Sequence, residues 1–303
     1  MMVINPKIGF IGFGEVSYYF SKGLKEKGIS QISTYDKVAG EQGFGDVIRT
    51  RAQEAGVELM PTLEDLVQKS DLLISAVWGN VSFETAKAVS NLIIPGQIFA
   101  DLNNTGSSVK SAGANAINAR GVKYVDIALI DTPVQKGLES LMLVSGDGAK
   151  EFDSIMSKYG MNIEVVQGKA GDATTIKTLV NIYYKGTQAL CLEIALCAKS
   201  AGVDLDFLSP LLRKPLEGLP PELEMAFWTV RGGMHAERKA TELAGTLEEI
   251  EEWDVEPIMS KATVKRLNFI GHYKLREHFK GDLPFERYKE MFEFIDRMDR
   301  PGK

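Results

Sequence analysis

Two polar residues one helical turn apart, Lys177 and Asn181, stand in a largely apolar stretch of this 303-residue chain. On a helix, residues four apart reach the same point in space. An amine whose proton affinity is lowered by burial can take the proton a hydroxyl loses as it becomes a carbonyl, and return it in reverse. A carboxamide one turn on can bond the same oxygen or hold the amine in place. By spacing alone, a solvated helix face is the plainer reading of the pair, since lone lysines on helices are usually solvated. A second set lies near the start, where Gly9-Phe10-Ile11-Gly12-Phe13-Gly14 leads into Glu15-Val16-Ser17. Gly12 permits a tight turn, Gly14 lets backbone approach a pyrophosphate, and the first amides of a following helix favour negative charge. Gly12, Phe13, Gly14, Glu15 and Val16, with Val77 at the end of a later strand, are the expected cofactor cradle. Ser17 takes the third small position, usually a glycine. Asp36 closes the run Ile32–Tyr35 at the spacing where a carboxylate accepts from an adenosine ribose and repels a 2′-phosphate. NAD is therefore expected, and the adjacent Lys37 leaves NADP open. Methyltransferases also use a glycine turn and a ribose-binding acid, so they remain an alternative at this point.

The surrounding pattern says what positions these residues. Strands are expected at 7–11, 32–35, 57–60, 71–77, 97–102, 123–130, 141–145 and 162–166, with amphipathic helices between most of them. Apolar strands separated by helices imply a largely parallel sheet with helices on both faces. After Val166 the strand signal stops. From Asp172 to Ala201 there is no proline and one internal glycine, Gly186, which predicts one long helix ending at Gly202. Helices are expected beyond it at 205–212, 222–230, 235–253, 257–279 and 285–297. The expected architecture is a doubly wound α/β Rossmann domain over 1–168, joined by the long helix to an all-helical domain over 169–303.

Hydrophobic residues make up 44% of the chain and charged residues 25%, the balance of a globular protein. The formal net charge of −6 opposes nucleic-acid backbones and anionic membranes as partners, while a locally positive pocket can still hold a small anionic substrate. No stretch approaches the roughly 20 apolar residues of a membrane span. Cys191 and Cys197 lie too far apart on one helix to bond each other and lack metal-ligand spacing, so neither a disulfide nor a metal is expected. A reducing, cytoplasmic setting is the default for such a chain.

The opening glycine string Gly9–Gly14, together with this layout, resembles the β-hydroxyacid dehydrogenases, a family that includes 3-hydroxyisobutyrate dehydrogenase and is related to 6-phosphogluconate dehydrogenase. The family's G-x-x-x-K-x-x-N-N segment aligns with Ala173 to Asn181. The resemblance thereby implies a catalytic lysine at Lys177 and its partner at Asn181, with Ala173 and Val180 departing from the pattern. The D-x-S-T segment aligns with Asp101-Leu102-Asn103-Asn104, implying a nicotinamide contact at Asn103 and a substrate contact at Asn104. The D-A-P-V-S-G-G motif falls on Asp126 to Thr132, where the serine and both glycines are absent. Ile130 and Asp131 then stand in substrate positions, and the substrate pocket must differ from the family's.

The resemblance covers the first two hundred residues well and the last hundred poorly. There, His235-Ala236-Glu237-Arg238-Lys239-Ala240-Thr241-Glu242 puts cations on one helix face, with Arg238 a candidate for a substrate carboxylate or phosphate. A solvated helix with i,i+4 pairs fits that segment too. The implied activity is NAD(P)-dependent oxidation of the secondary alcohol of a small β-hydroxy acid or sugar acid, or the reverse reduction, in a homodimer. A non-catalytic cofactor-binding protein and an imine or amino-acid-type reductase stay open as alternatives.

Overall fold

The computed structural model describes residues 5–300, which belong to two compact units, Met1–Ile182 and Tyr183–Lys303. In the first unit, β1 (Ile8–Ile11), β2 (Ile32–Tyr35), β3 (Glu58–Leu59), β4 (Leu72–Ser75), β5 (Ile98–Asp101), β6 (Lys123–Leu129), β7 (Met142–Ser145) and β8 (Ile163–Val165) form one sheet. Its order is β3-β2-β1-β4-β5-β6-β7-β8. Neighbours run parallel except β7, which is antiparallel to β6. The helices are α1 (Glu15–Glu26), α2 (Phe44–Glu54), α3 (Leu63–Lys69), α4 (Ser82–Ser90), α5 (Ser107–Asn118), α6 (Pro133–Lys136), α7 (Ala149–Met156) and α8 (Asp172–Ala201).

Side-chain alternation along the strands divides the core in two. Phe10, Ile74, Ala100 and Val125 pack with Phe20 and Leu24 of α1, Ile48 of α2 and Phe152 of α7. Ile11, Leu73, Phe99 and Tyr124 face the other way, onto Leu66 of α3, Ala86 and Val89 of α4, and Ile117 of α5. Because β1 lies between β2 and β4, the chain reverses its winding direction there. The crevice beyond the carboxyl ends of such strands is where doubly wound sheets take ligands. The mostly parallel sheet followed by helices is the architecture read from the sequence.

The division between units falls inside α8, whose first three turns belong to the first unit. Position 168/169 lies in the turn between β8 and α8. The second unit contains α9 (Leu205–Arg213), α10 (Glu224–Met234), α11 (Ala236–Ala244), α12 (Leu247–Glu252), α13 (Ile258–Gly271), α14 (Leu275–His278) and α15 (Tyr288–Asp299), with a core of Val230, Met234, Leu275, Leu283 and Met291. Two expected helices are each broken. The 235–253 segment divides at Gly245-Thr246, where glycine weakens a helix interior by about 1 kcal/mol. The 257–279 segment turns at Lys274, held at φ 50°, which brings Leu275 into the core. Among the described residues no helix is long and apolar enough to cross a membrane.

Candidate active site

The glycine turn is wedged between neighbouring strands. Gly12 takes φ +85°, donates its amide to the Tyr35 carbonyl at 2.8 Å, and has no room for a side chain: a Cβ there would lie 2.6 Å from the Ala76 carbonyl oxygen and 3.0 Å from Val77 Cγ1. Gly14 is the N-cap of α1 without a side-chain cap, and a Cβ on it would meet nothing within 4 Å. The helix start therefore opens onto free space, as an approaching phosphate requires. Ser17, in the glycine position, is buried and donates from Oγ to the Gly12 carbonyl at 2.7 Å, locking turn to helix. The Phe13 ring points into the core, while its amide donates to Asp36 Oδ2 at 2.8 Å. Asp36 Oδ1 accepts from the Val38 amide at 3.1 Å, and each carboxylate oxygen retains a lone pair for another donor. Val16 packs against the core and exposed Glu15 lies 3.6 Å from Arg51.

The loops after β4 and β5 are tied together next to this turn. Asn103 is buried, its Oδ1 accepting from the Val77 amide at 2.6 Å and its Nδ2 donating to Ser75 and Ser82 at 3.0 and 3.2 Å. Its carboxamide is committed to these strand ends, so it shapes the cleft edge through Val77. Asn104 is exposed. Gly79 lets the two loops meet, since a Cβ there would run into the Asn104 carbonyl.

Lys177 and Asn181 are half-buried on α8, in its second and third turns. The start of that helix is anchored by a carboxylate to which the sequence pattern gave no role. Asp126 of β6 accepts from the Gly171 amide at 3.0 Å, the Thr174 amide at 3.1 Å and the Thr174 hydroxyl at 2.7 Å. Ser145 donates to the same carboxylate at 3.2 Å and accepts from the Ala173 amide at 3.0 Å. Lys110 of α5 lies between Asp126 Oδ1, at 3.4 Å, and Asp101 Oδ1, at 2.8 Å. Asp101 also accepts from the Tyr124 hydroxyl at 2.7 Å; burial first, then the Asp101 charge, pushes that phenol's proton affinity far upward. Asp101, Lys110 and Asp126 are all fully buried. A signal was present: two carboxylates interrupt otherwise buried strands, and Lys110 stands at apolar spacing with Gly113, Ala114 and Ile117.

The segment in place of the family's glycine-rich loop folds on itself. Ile130 packs beside Ala128, Leu143 and Ala173. Asp131 Oδ2 accepts from Lys136 Nζ at 2.9 Å and the Leu141 amide at 3.1 Å, and these two bonds hold its carboxyl below the usual range. Pro133 opens α6, where its missing N–H costs nothing, and Leu138 packs against Gly23 of α1. In the second unit Arg238 is paired with Glu242 one turn along α11. The His235 Nδ1 beside it is buried without a hydrogen-bond partner. The structure thus gathers Gly12, Gly14, Asp36, Val77 and Asn103 at one edge of the sheet, sets Lys177 and Asn181 on α8, and leaves Asp131 and Arg238 bonded to their own neighbours.

No protein-family model matches the chain. An uncharacterized 28.5 kDa protein from the 7S RNA 5′ region of Methanothermus fervidus is 31% identical over 258 residues, spanning 85% of this chain and 96% of that protein. The solved structure of the conserved protein MTH1747, of unknown function and described as similar to 3-hydroxyacid dehydrogenases, is 26% identical with a TM-score of 0.59, covering 89% of this chain and 98% of its own. Imine reductase from Myxococcus stipitatus, solved as a variant with NAD+, shares the fold at a TM-score of 0.72 and 18% identity, over 88% of this chain and 93% of its own. The same reductase with NADP+ gives 0.68 and 17%, over 87% and 93%. The chain belongs to the family of the Methanothermus fervidus protein, a β-hydroxyacid dehydrogenase-like branch with a C-terminal helical region.

Proposed function

We propose that this protein is an NAD(P)-dependent oxidoreductase that interconverts the secondary alcohol of a small β-hydroxy acid and the corresponding carbonyl compound. The observation that carries this reading is the open helix start at Gly14 beside a carboxylate, Asp36, that grips the same turn through the Phe13 amide. These residues fit a dinucleotide. The α1 amides and Gly14 would take the pyrophosphate, Asp36 the adenosine ribose, and the Val77 backbone, held by Asn103, would border the nicotinamide. When bound, the cofactor supplies hydride exchange with the substrate carbon. The protein's own part is proton management and positioning. Lys177 takes the hydroxyl proton during oxidation and returns it during reduction, while Asn181 bonds the same oxygen or steadies the amine. Asn104, exposed at the loop after β5, is assigned to the substrate.

The test is Lys177→Met. NADH binding should persist, read by its fluorescence, while turnover of the best acid in a panel of hydroxy acids, hydroxyamino acids and sugar acids falls by about 10²–10⁴-fold. Unchanged turnover removes Lys177 from the chemistry, and binding without any turnover across the panel favours a non-catalytic cofactor-binding protein. A second reading, reduction of an imine, draws on the fold shared with the imine reductases. It shares the cofactor site and differs in the panel: cyclic imines consumed with NADPH or NADH, and hydroxy acids inert, would select it.

A further inference from the structure

Asp126, Lys110 and Asp101 form an ionic chain in the interior of the first unit, and only part of it is explained by folding. Two carboxyl side chains flank one lysine amine, all without solvent contact. Charges in such a place are costly, and an apolar trio of the same volume often holds a fold at least as well. What an apolar trio lacks is direction. Here the direction comes at Asp126, which the start of α8 meets with two amides and one hydroxyl. The helix N-terminus compensates the carboxylate, and the carboxylate in turn fixes the helix.

We propose that Asp126, braced by Lys110, is a positioning residue that sets the rotation of α8 about its own axis and thereby the place of the Lys177 amine. This rests on Lys177 being the acid/base. Thr174 stands three residues before Lys177, on the same face of the helix. Its amide and hydroxyl hold the two oxygens of one carboxylate, at 3.1 and 2.7 Å, a two-point grip that resists rotation as well as sliding. A lysine amine lies roughly 8 Å from the helix axis, so a turn of about 10° carries it about 1.4 Å. A displacement of that size costs about a hundredfold in a proton transfer. The other end of the chain reaches the cofactor side: Asp101 Oδ1 accepts from the Asn103 amide at 2.9 Å, and Asn103 holds Val77. One buried lysine thus links the helix carrying the amine to the loop bordering the nicotinamide.

The experiment compares Thr174→Val, which keeps the shape and removes the hydroxyl, with Thr174→Ser, which restores it. Two readouts are taken: kcat and KM on the best acid of the panel, and the NMR signal of Lys177 after reductive methylation with ¹³C-formaldehyde, titrated with pH without substrate. The positioning role predicts that Thr174→Val folds, binds NADH as before, loses about tenfold or more in kcat with KM little changed, and moves the Lys177 signal and its titration midpoint. Thr174→Ser should return both. A Thr174→Val protein of lower melting temperature with unchanged kcat and Lys177 signal would overturn the proposal. If Lys177→Met retains full turnover, the acid/base reading fails by itself; the methyl-lysine signal still decides whether Thr174 places the amine.

Discussion

Asp36 stands at the glycine turn, where its structural tie and its proposed cofactor contact fall on one carboxylate. It holds the glycine turn through the Phe13 amide, and the proposed function gives its remaining lone pairs to a ribose diol. Asp36→Ala removes both, and also removes the charge that opposes a 2′-phosphate. NADH affinity should fall by about 10–100-fold, or about 1.4–2.8 kcal/mol, while NADPH affinity changes less or improves, as read by fluorescence titration of each. Equal losses for both cofactors would mean the carboxylate serves the turn alone. Ser17 illustrates a different lesson of the same scale. A departure from the glycine pattern looks like a weaker motif in the sequence, yet its hydroxyl bonds the Gly12 carbonyl and so replaces conformational freedom with a tie. Which atom a small side chain bonds is a fact of three dimensions, and no spacing rule contains it.

At the scale of elements, the sheet was legible because strands buried on both faces write themselves as short apolar runs, and α8 because nothing interrupts it from Asp172 to Ala201. The glycine turn and Asp36 were legible for the same reason: backbone requirements leave residue types behind. Asp126 and Lys110 were not read as a pair, since a charge in a strand and one on a helix face reveal their contact only after folding. The break at Gly245 was missed although a glycine inside a helical run marks it, and the break at Lys274 because tertiary packing sets it. The second of these shapes an acid-sensitive element. His235 lies between α10 and α11, and burial, then the charges of Arg276, Arg238, Lys239 and Arg231, lower its proton affinity from the ordinary 6.5. The unfolded chain therefore binds this proton more readily than the folded one. The contribution of His235 is harmless above about pH 6.5 and destabilising as pH falls below it, until the folded imidazole also protonates. Melting curves of wild type and His235→Gln should diverge progressively below that pH, with the variant losing less. Arg276→Gln should shrink the divergence, and parallel curves at every pH would remove His235 from acid sensitivity.

At the scale of the whole molecule, α8 and α9 carry large apolar side chains that one chain leaves exposed. On α8, Leu179, Ile182, Tyr184 and Leu192 are each more than half exposed and point in several directions around the axis. A helix that is apolar all round belongs inside something. On α9 no residue is buried, and Leu205, Phe207, Leu211 and Leu212 all face outward. Exposed patches of this extent mark protein contacts, and each large side chain that becomes buried contributes about 1.5–3 kcal/mol. A second copy of the chain is the simplest partner, since a two-fold interface pairs one surface with itself. Sedimentation equilibrium at micromolar concentration should give twice the 33.3 kDa chain mass. Phe207→Glu with Leu211→Glu should shift that equilibrium toward the monomer, because a carboxylate pair facing its own symmetry mate is both repelled and poorly solvated. A wild-type protein that sediments as a stable monomer would require these faces to meet some other apolar surface, and would turn the question from self-association to a partner.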